Sequence, residues 1–240
     1  MPLERALSKL GIASRTQARE WILAGRVSVN GVVRRDPAYG VSPERAVLEI
    51  DGRRVARAEW RTFILHKPRG VVTTRSDEKG RPTVFSLIKE PGLHLIAVGR
   101  LDWATSGLLI LTNDTRLSDW LTDPEHEVGR TYLVTVRGEM LESELERLRQ
   151  GIRDDGDLLR VDEAVLRKSS RRESHLTVRL HEGKNREIRR IFLALGHEVS
   201  RLKRVAYGGL ELGELEPGEY REITREEMER LFPGMPASKS

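Results

Sequence analysis

The order in which strand-like and helix-like segments follow one another constrains the fold of this chain more than any other feature. Beyond the first sixty or so residues, short runs rich in Val, Ile, Leu and Thr recur at 63–65, 71–74, 93–98, 108–112, 131–136, 165–166, 175–180 and 199–206. Amphipathic helical spacing is confined to 117–121, 141–148 and 185–195, with a last short helix opened by Thr224 and Glu227 as a capping box. Strands outnumber helices and do not alternate with them strictly. That predicts an α+β fold with a mixed, mainly antiparallel sheet flanked by helices, rather than a doubly wound one.

The opening residues read as a separate, smaller unit. Leu3, Leu7 and Leu10 share a helix face that stops at Gly11; Ser14 and Gln17 start a second helix with Ala18, Trp21 and Ile22 on one face and Gly25 at its end. Asn30-Gly31 between Val27–Val29 and Val32–Val33 is a tight hairpin signal. A further strand at 47–50 is closed by Asp51-Gly52. We therefore expect a small helical domain at 1–52, a linker at 53–61 marked by Arg53, Arg54, Arg57 and Arg61, a large domain at 62–232, and a flexible tail at 233–240.

Charge points to a polyanionic partner. The formal net charge is +5, and residues 211–230 mask part of the excess with 8 acidic against 3 basic side chains. Residues 181–204 hold 7 basic against 3 acidic ones. Nucleic acid is the leading partner class, and Arg15, Arg19, Arg26, Arg34 and Arg35 on the small unit are candidate phosphate contacts. The absence of cysteine excludes disulfides and thiolate chemistry. The start MPLERALSKL lacks the continuous apolar core of a signal peptide, and no window approaches a membrane span, so a cytoplasmic location is expected. The histidines show no ligand spacing, and neither metal nor cofactor is expected. A monomer is the default.

The segment GRLDWATSGLLILTND at 99–114 sets a polar hinge between two apolar strands. Asp102 in that hinge, beside Arg100, is a competent nucleophile or base if it stays ionised, although Asp, Ser, Thr and Gly are also ordinary turn residues. Thr105, Ser106 and Gly107 are placed to fix the loop. In HEGKNREIRRIFLALG at 181–196, Ile188, Ile191, Phe192 and Leu195 share one helix face, and Arg189 lies at its edge, where a guanidinium can pair with a carboxylate. Arg186 and Arg190 point roughly opposite, toward solvent or phosphate. Lys184 and Asn185 precede the helix and offer an anion site. Tyr132, in RTYLVTV, reads either as a core residue or as a platform for an extruded base.

Three of these segments together resemble the RsuA/RluB-type family of ribosomal RNA pseudouridine synthases: GRLDWATSGLLILTND almost throughout, RTYLV, and EGKNREIRR. HKPRGVVTT and VSRLKRVAYG also match family blocks, and the likeness runs to about Ile223. The first 50 or so residues are similar to a small RNA-binding domain shared with a small-subunit ribosomal protein and tyrosyl-tRNA synthetases. The resemblance implies a cofactor-free isomerase acting on ribosomal RNA or a ribosome assembly intermediate. It implies Asp102 as nucleophile, Tyr132 packed on the target base, Arg189 paired with Asp102, and Ile188 lining the pocket; Arg100, Lys184, Asn185 and Arg186 are candidate substrate contacts beside them. Glu187 stands where many relatives have glutamine. The ending VSRLKRVAYGGLELGELEPGEYREIT is nearer to the large-subunit enzymes, with small-subunit ribosomal RNA as the alternative target. A non-catalytic assembly factor on the same fold is the rival; a metal-dependent nuclease is disfavoured by the lack of clustered acids and histidines.

Overall fold

The computed structural model describes residues 1–55, 58–90 and 93–237. In the small unit α1 (Leu3–Lys9) packs on α2 (Arg15–Leu23), followed by β1 (Val27–Val29), β2 (Val32–Val33), β3 (Leu48–Ile50) and β4 (Arg53–Arg54). Ser14 Oγ accepts the Gln17 N–H at 3.0 Å, as its spacing predicts. Asn30 and Gly31 take φ of 51° and 77°, the mirror-image turn that suits a twisted hairpin. Leu3, Leu7, Ala18, Ile22, Val27, Val29 and Leu48 form a core of their own.

The rest of the chain builds a nine-stranded sheet. Its strands are β5 (Thr62–Lys67), β6 (Ile96–Val98), β7 (Ser106–Thr112), β8 (Arg130–Arg137), β11 (Glu163–Ser169), β12 (Glu173–Leu180), β13 (Val199–Tyr207), β14 (Leu210–Glu211) and β15 (Tyr220–Glu222); β9 (Ile152–Asp154) and β10 (Asp157–Leu159) form a separate hairpin. The order is β11-β12-β8-β13-β7-β5-β15, with β14 beside β13 and β6 beside β7. Only β13 and β7 run parallel among these pairs, so the sheet is mixed and mainly antiparallel, as expected.

Helices divide the two faces. Helices α4 (Glu142–Gln150) and α5 (Glu187–Ala194) bring Leu145, Leu148, Ile191 and Phe192 onto Leu65, Leu109, Val134 and Leu176. On the opposite face, α3 (Thr115–Thr122) and α6 (Arg225–Leu231) bring Leu117, Leu121 and Met228 onto Ile64, Leu108 and Ile110. Thr224 Oγ1 accepts the Glu227 N–H at 3.2 Å to start α6.

Several expectations change. Residues 71–74 are not a strand: Val72 makes one isolated bridge to Thr83, while Thr73 Oγ1 bonds the Leu101 carbonyl at 2.8 Å. The apolar pattern there reflects burial, not pairing. The linker begins as strand β4, and residues 56–57 lie outside the described residues. The 185–195 helix starts only at Glu187, because Arg186 adopts φ 50°. The acidic segment after Glu211, given no role from sequence, supplies β15 and α6, and its Glu222 pairs with Arg61. In the expected tail, Met235 is buried against the α3–α6 core and Arg116 Nη2 donates to the Ala237 carbonyl at 2.7 Å. Residues 238–240 lie outside the described residues.

Gly107 holds the parallel pair together. Its φ is +110°, and an added Cβ would sit 2.1 Å from the Arg204 carbonyl oxygen. Backbone strain and overpacking together cost about 3 kcal/mol, so Gly107→Ala should lower the thermal midpoint by roughly 6–12 °C. A midpoint within about 2 °C of wild type would show that β7 and β13 can separate freely.

Candidate active site

Asp102 sits in the loop between β6 and β7, where the Thr105 N–H donates to its carbonyl at 3.1 Å. The loop is pinned from below by a buried cation. Lys67, the last residue of β5, is completely buried, and its Nζ donates to the carbonyls of Pro68 at 3.1 Å, Asp102 at 3.1 Å and Thr105 at 2.8 Å. One ammonium thereby ties the strand end to both sides of the Asp102 turn. Burial pulls Lys67 down from 10.5 to about 8, with the Asp102 charge opposing that and Arg204 adding to it.

The Asp102 carboxylate is divided between two environments. Its Oδ2 accepts from Arg189 Nε at 3.2 Å and from Arg186 Nη1 at 3.3 Å. Its Oδ1 is covered and has no hydrogen-bond partner among the described residues. Arg189 is itself fixed on three sides: Nη1 donates to the Val199 carbonyl at 3.0 Å and Nη2 to Thr105 Oγ1 at 3.4 Å. The helix bearing Arg189, the start of β13 and the Asp102 loop are thus held by one guanidinium.

Around this pair lies a cleft of about 880 Å³, within the size range of sites for small molecules. Tyr132 and Ile188, both largely buried, line it together with Leu101, Leu180 and Leu202. Arg204 and Arg130 also line it, and both guanidiniums lie 5.0 Å from the Tyr207 ring centre. Arg130 Nη2 donates to the Tyr207 hydroxyl at 3.1 Å, and that hydroxyl donates to the Leu121 carbonyl at 2.7 Å. Arg204 Nε donates to the Leu108 carbonyl at 2.7 Å, but its Nη2 is buried without a partner among the described residues. An apolar floor, a carboxylate held by two guanidiniums and an excess of cations in the lining suit an aromatic ring carried on an anionic backbone.

Residues 61–194 match the family of RNA pseudouridylate synthases, and residues 1–47 match the S4 domain. The chain belongs to the RNA pseudouridylate synthase family. It is 38% identical, over 95% of its length and 94% of the relative's, to a Bacillus subtilis protein named ribosomal large subunit pseudouridine synthase B. It is also 38% identical, over 96% and 93%, to an RNA pseudouridine synthase of Aquifex aeolicus. A crystal structure of a pseudouridylate synthase superposes with a TM-score of 0.67 at 30% identity, covering 96% of this chain and 99% of that one. The chain is therefore an isomerase of the RsuA/RluB type.

Within this synthase the geometry sorts the sequence-based candidates. Asp102, Arg189, Tyr132 and Ile188 converge on the cleft. Arg100 lines it too but is exposed and does not pair with Asp102; that place is taken by Arg186, whose left-handed backbone turns its side chain back toward the loop. Arg190, half-buried, is not left free for phosphate: it pairs with Asp154 at 2.6 Å and Asp157 at 2.9 Å on the β9–β10 hairpin. The anion site at Lys184 and Asn185 is filled from within, because Glu187 Oε2 accepts the Lys184 N–H at 3.2 Å, and Lys184 Nζ pairs with Glu182 at 2.5 Å. Asn185 stays exposed at the cleft rim. Burial pushes the Glu187 carboxyl up, and its Oε1 is covered without a partner among the described residues.

On the small unit, four of the five candidate phosphate contacts are engaged internally. Arg19 pairs with Glu4 at 3.7 Å, Arg26 with Asp51 at 2.5 Å, Arg34 lies 4.2 Å from the Tyr39 ring centre, and Arg35 donates to the Leu23 carbonyl at 3.1 Å. Arg15, at the start of α2, is exposed and has no partner among the described residues. Lys67, Arg130 and Arg204 went unnoticed as single residues. The signal for each was a cation at the end of, or inside, an otherwise apolar strand.

Lys67 makes a pH prediction. Unfolded, it holds its proton to about 10.5; folded, only to about 8. Between these values the unfolded chain binds more protons, so the cost of burying the charge, present in full below pH 8, fades as pH rises toward 10.5. The difference in unfolding free energy between wild type and Lys67→Met should move in favour of wild type across that window. A flat difference would mean that Lys67 titrates normally.

Proposed function

We propose that this synthase converts a uridine of large-subunit ribosomal RNA to pseudouridine, with Asp102 as nucleophile, Tyr132 against the target base and Arg189 as the partner of the carboxylate. The supporting observation is the division of Asp102: one oxygen is held by two guanidiniums, while the other is covered and has no hydrogen-bond partner among the described residues. The name of the Bacillus subtilis relative favours the large subunit.

The chemistry asked of the site follows from the bonds exchanged. The bond from N1 to C1′ breaks, one from C5 to C1′ forms, the proton on C5 is lost and N1 gains one. No electrons are gained or lost overall, so the reaction calls for no redox cofactor. The uridine must first leave its stack, which costs a few kcal/mol that protein contacts offset. Tyr132 and the apolar wall of Leu101, Leu180, Ile188 and Leu202 supply those contacts and keep the detached ring from escaping into water while it rotates. Attack at C1′, attack at C6 and assistance to loss of the 2′ proton all begin from the same negatively charged oxygen. Closure of RNA over the cleft would leave that charge buried alone. The guanidiniums of Arg189 and Arg186 offset it. Arg186 is half exposed and can turn from Asp102 to a backbone phosphate as RNA enters.

Purified protein without added metal is expected to release tritium from uridine labelled at C5 in ribosomal RNA, and Asp102→Asn to release none while still binding. Equal release by the variant would remove Asp102 from the mechanism. Arg189→Ala should lose on the order of a hundredfold or more in rate with a much smaller loss of RNA affinity. A fall in affinity that accounts for the whole rate loss would reassign Arg189 to phosphate contact. Mapping pseudouridine in ribosomal RNA from a deletion strain identifies the target, and a lost modification confined to the small subunit would overturn the large-subunit assignment.

A further inference from the structure

The sheet face turned away from the cleft is covered by α3 and α6 at its β7–β5–β15 end and over Tyr207 at the end of β13. Over β11, β12, β8 and the first half of β13 no described helix packs on it. The register sets outward residues in rows across those strands: Val165, Thr177, Leu133 and Lys203 in one, and Lys168, His175, Thr135 and Arg201 in the next. Alternate rows, such as Ala164, Val178, Tyr132 and Arg204, point into the core and the cleft. Leu133, on interior strand β8, and Val165, on edge strand β11, are 47% and 39% exposed on this face.

This surface carries charge of nearly one sign. Lys168, Arg201 and Lys203 project from it, and Arg179 lies in the adjoining row. Arg171 and Arg172 extend it onto the exposed β11–β12 turn. None of these six charged groups has an ion-pair or hydrogen-bond partner among the described residues. The nearby acids are mostly spent: Glu173 bonds His175 at 3.1 Å and Glu198 pairs with Arg137 at 3.3 Å, leaving Glu163 opposite Arg179. Cations on an edge strand guard against edge-to-edge pairing, which accounts for Lys168 on β11. It does not account for Arg179, Arg201 and Lys203, which sit on interior strands.

With strands about 4.8 Å apart and like-facing residues about 6.7 Å apart along each, the four cations from Lys168 to Lys203 span roughly 14 Å. The two rows also present the hydroxyl of Thr177 and no Phe, Tyr or Trp ring on which a base could stack; their one imidazole, His175, is held between Thr135 Oγ1 at 3.2 Å and Glu173 at 3.1 Å. Spaced cations with no large, free aromatic platform fit a sugar-phosphate backbone in a helical region better than unpaired bases. We propose that this outer sheet face is a second RNA surface, which grips the phosphate backbone of ribosomal RNA at a distance from the uridine held in the cleft. It rests on the assignment of ribosomal RNA as substrate.

The test uses the full chain, the variant K168E/R179E/R201E/K203E and its counterpart with glutamine at the same four positions. Each is titrated, over a range of salt, with full-length large-subunit ribosomal RNA and with a short stem-loop cut around the modified uridine. For the long RNA the glutamate variant should bind at least tenfold more weakly, the glutamine variant less so, and the slope of log Kd against log salt should fall by about three. Turnover on saturating stem-loop should equal that of wild type for both. Unchanged affinity and slope on the long RNA would overturn the proposal. So would an equal loss on the stem-loop, which would place these residues in the folding or shape of the cleft. Weakened co-sedimentation with ribosomal particles at unchanged naked-RNA affinity would assign the face to a protein instead. Failure of the wild type itself to bind or modify ribosomal RNA would reject the substrate assignment rather than the face.

Discussion

A buried lysine is the constraint around which the site is organised. Lys67 has three donors and no access to water, and it spends those donors on three carbonyls, two of which flank the Asp102 turn. Carbonyls left without donors inside a protein cost about 1–3 kcal/mol each, so the strand end and the loop cannot part without exposing all of them. No neutral side chain of that length offers three hydrogens. A second constraint acts in concert, because Gly107 lets β7 approach the backbone of Arg204 and so makes the parallel pair that sets the Asp102 loop beside β13. Helix α5 is then tied to the same place by Arg189, which reaches Val199 at the start of β13 as well as Asp102. Asp102 and its partner Arg189 arrive on separate segments, and their alignment comes from backbone contacts made elsewhere.

What was legible in the sequence was whatever depends on neighbours a few residues away. Ser14 with Gln17, Asn30 with Gly31, and Thr224 with Glu227 each announce a local hydrogen bond or backbone sign, and each forms as spaced. The alternation along β8 and β12 likewise fixes which side chains face inward. The partners of charged groups were not legible, because they are set by topology. Arg190 lies on the polar side of α5, where a helical wheel sends it to solvent; the β9–β10 hairpin brings two aspartates to meet it. Residues 71–74 are apolar enough for a strand but find only one bridging neighbour. The pairing of Arg186 with Asp102 has a local cause that spacing does not announce, since a left-handed residue before α5 is not a position where arginine is expected.

The tertiary structure also redistributes charge in a way that composition conceals. Of the basic residues between 181 and 204, Lys184, Arg186, Arg189 and Arg190 are matched with carboxylates, Arg204 is buried at the cleft, and Arg201 and Lys203 are left facing outward. On the small unit, arginines that looked available are mostly held by their own neighbours. A positive region of sequence is therefore a poor guide to a positive region of surface. The acidic stretch after Glu211 shows the converse: several of its carboxylates close ion pairs with Arg61, Arg221 and Arg225 and stabilise the C-terminal packing instead of repelling RNA.

Inside the cleft the balance is deliberately uneven. Arg130 and Arg204 are buried in its wall and Lys67 lies beneath it, while the anions that line it are Asp102, already shared by two arginines, Glu182, paired with Lys184, and Glu187, whose carboxyl burial pushes toward its neutral form. A buried cation without a counter-ion is costly to hold, and Arg204 still has one nitrogen with no partner among the described residues. Such a site is less stable empty than it would be with a matched set of charges. A polyanion that enters it lowers the free energy of the folded state and of no other, so the cost held in the free protein returns as affinity when RNA binds. Stability given up in the cleft and binding strength for the nucleotide backbone are then two measures of the same unpaired charge.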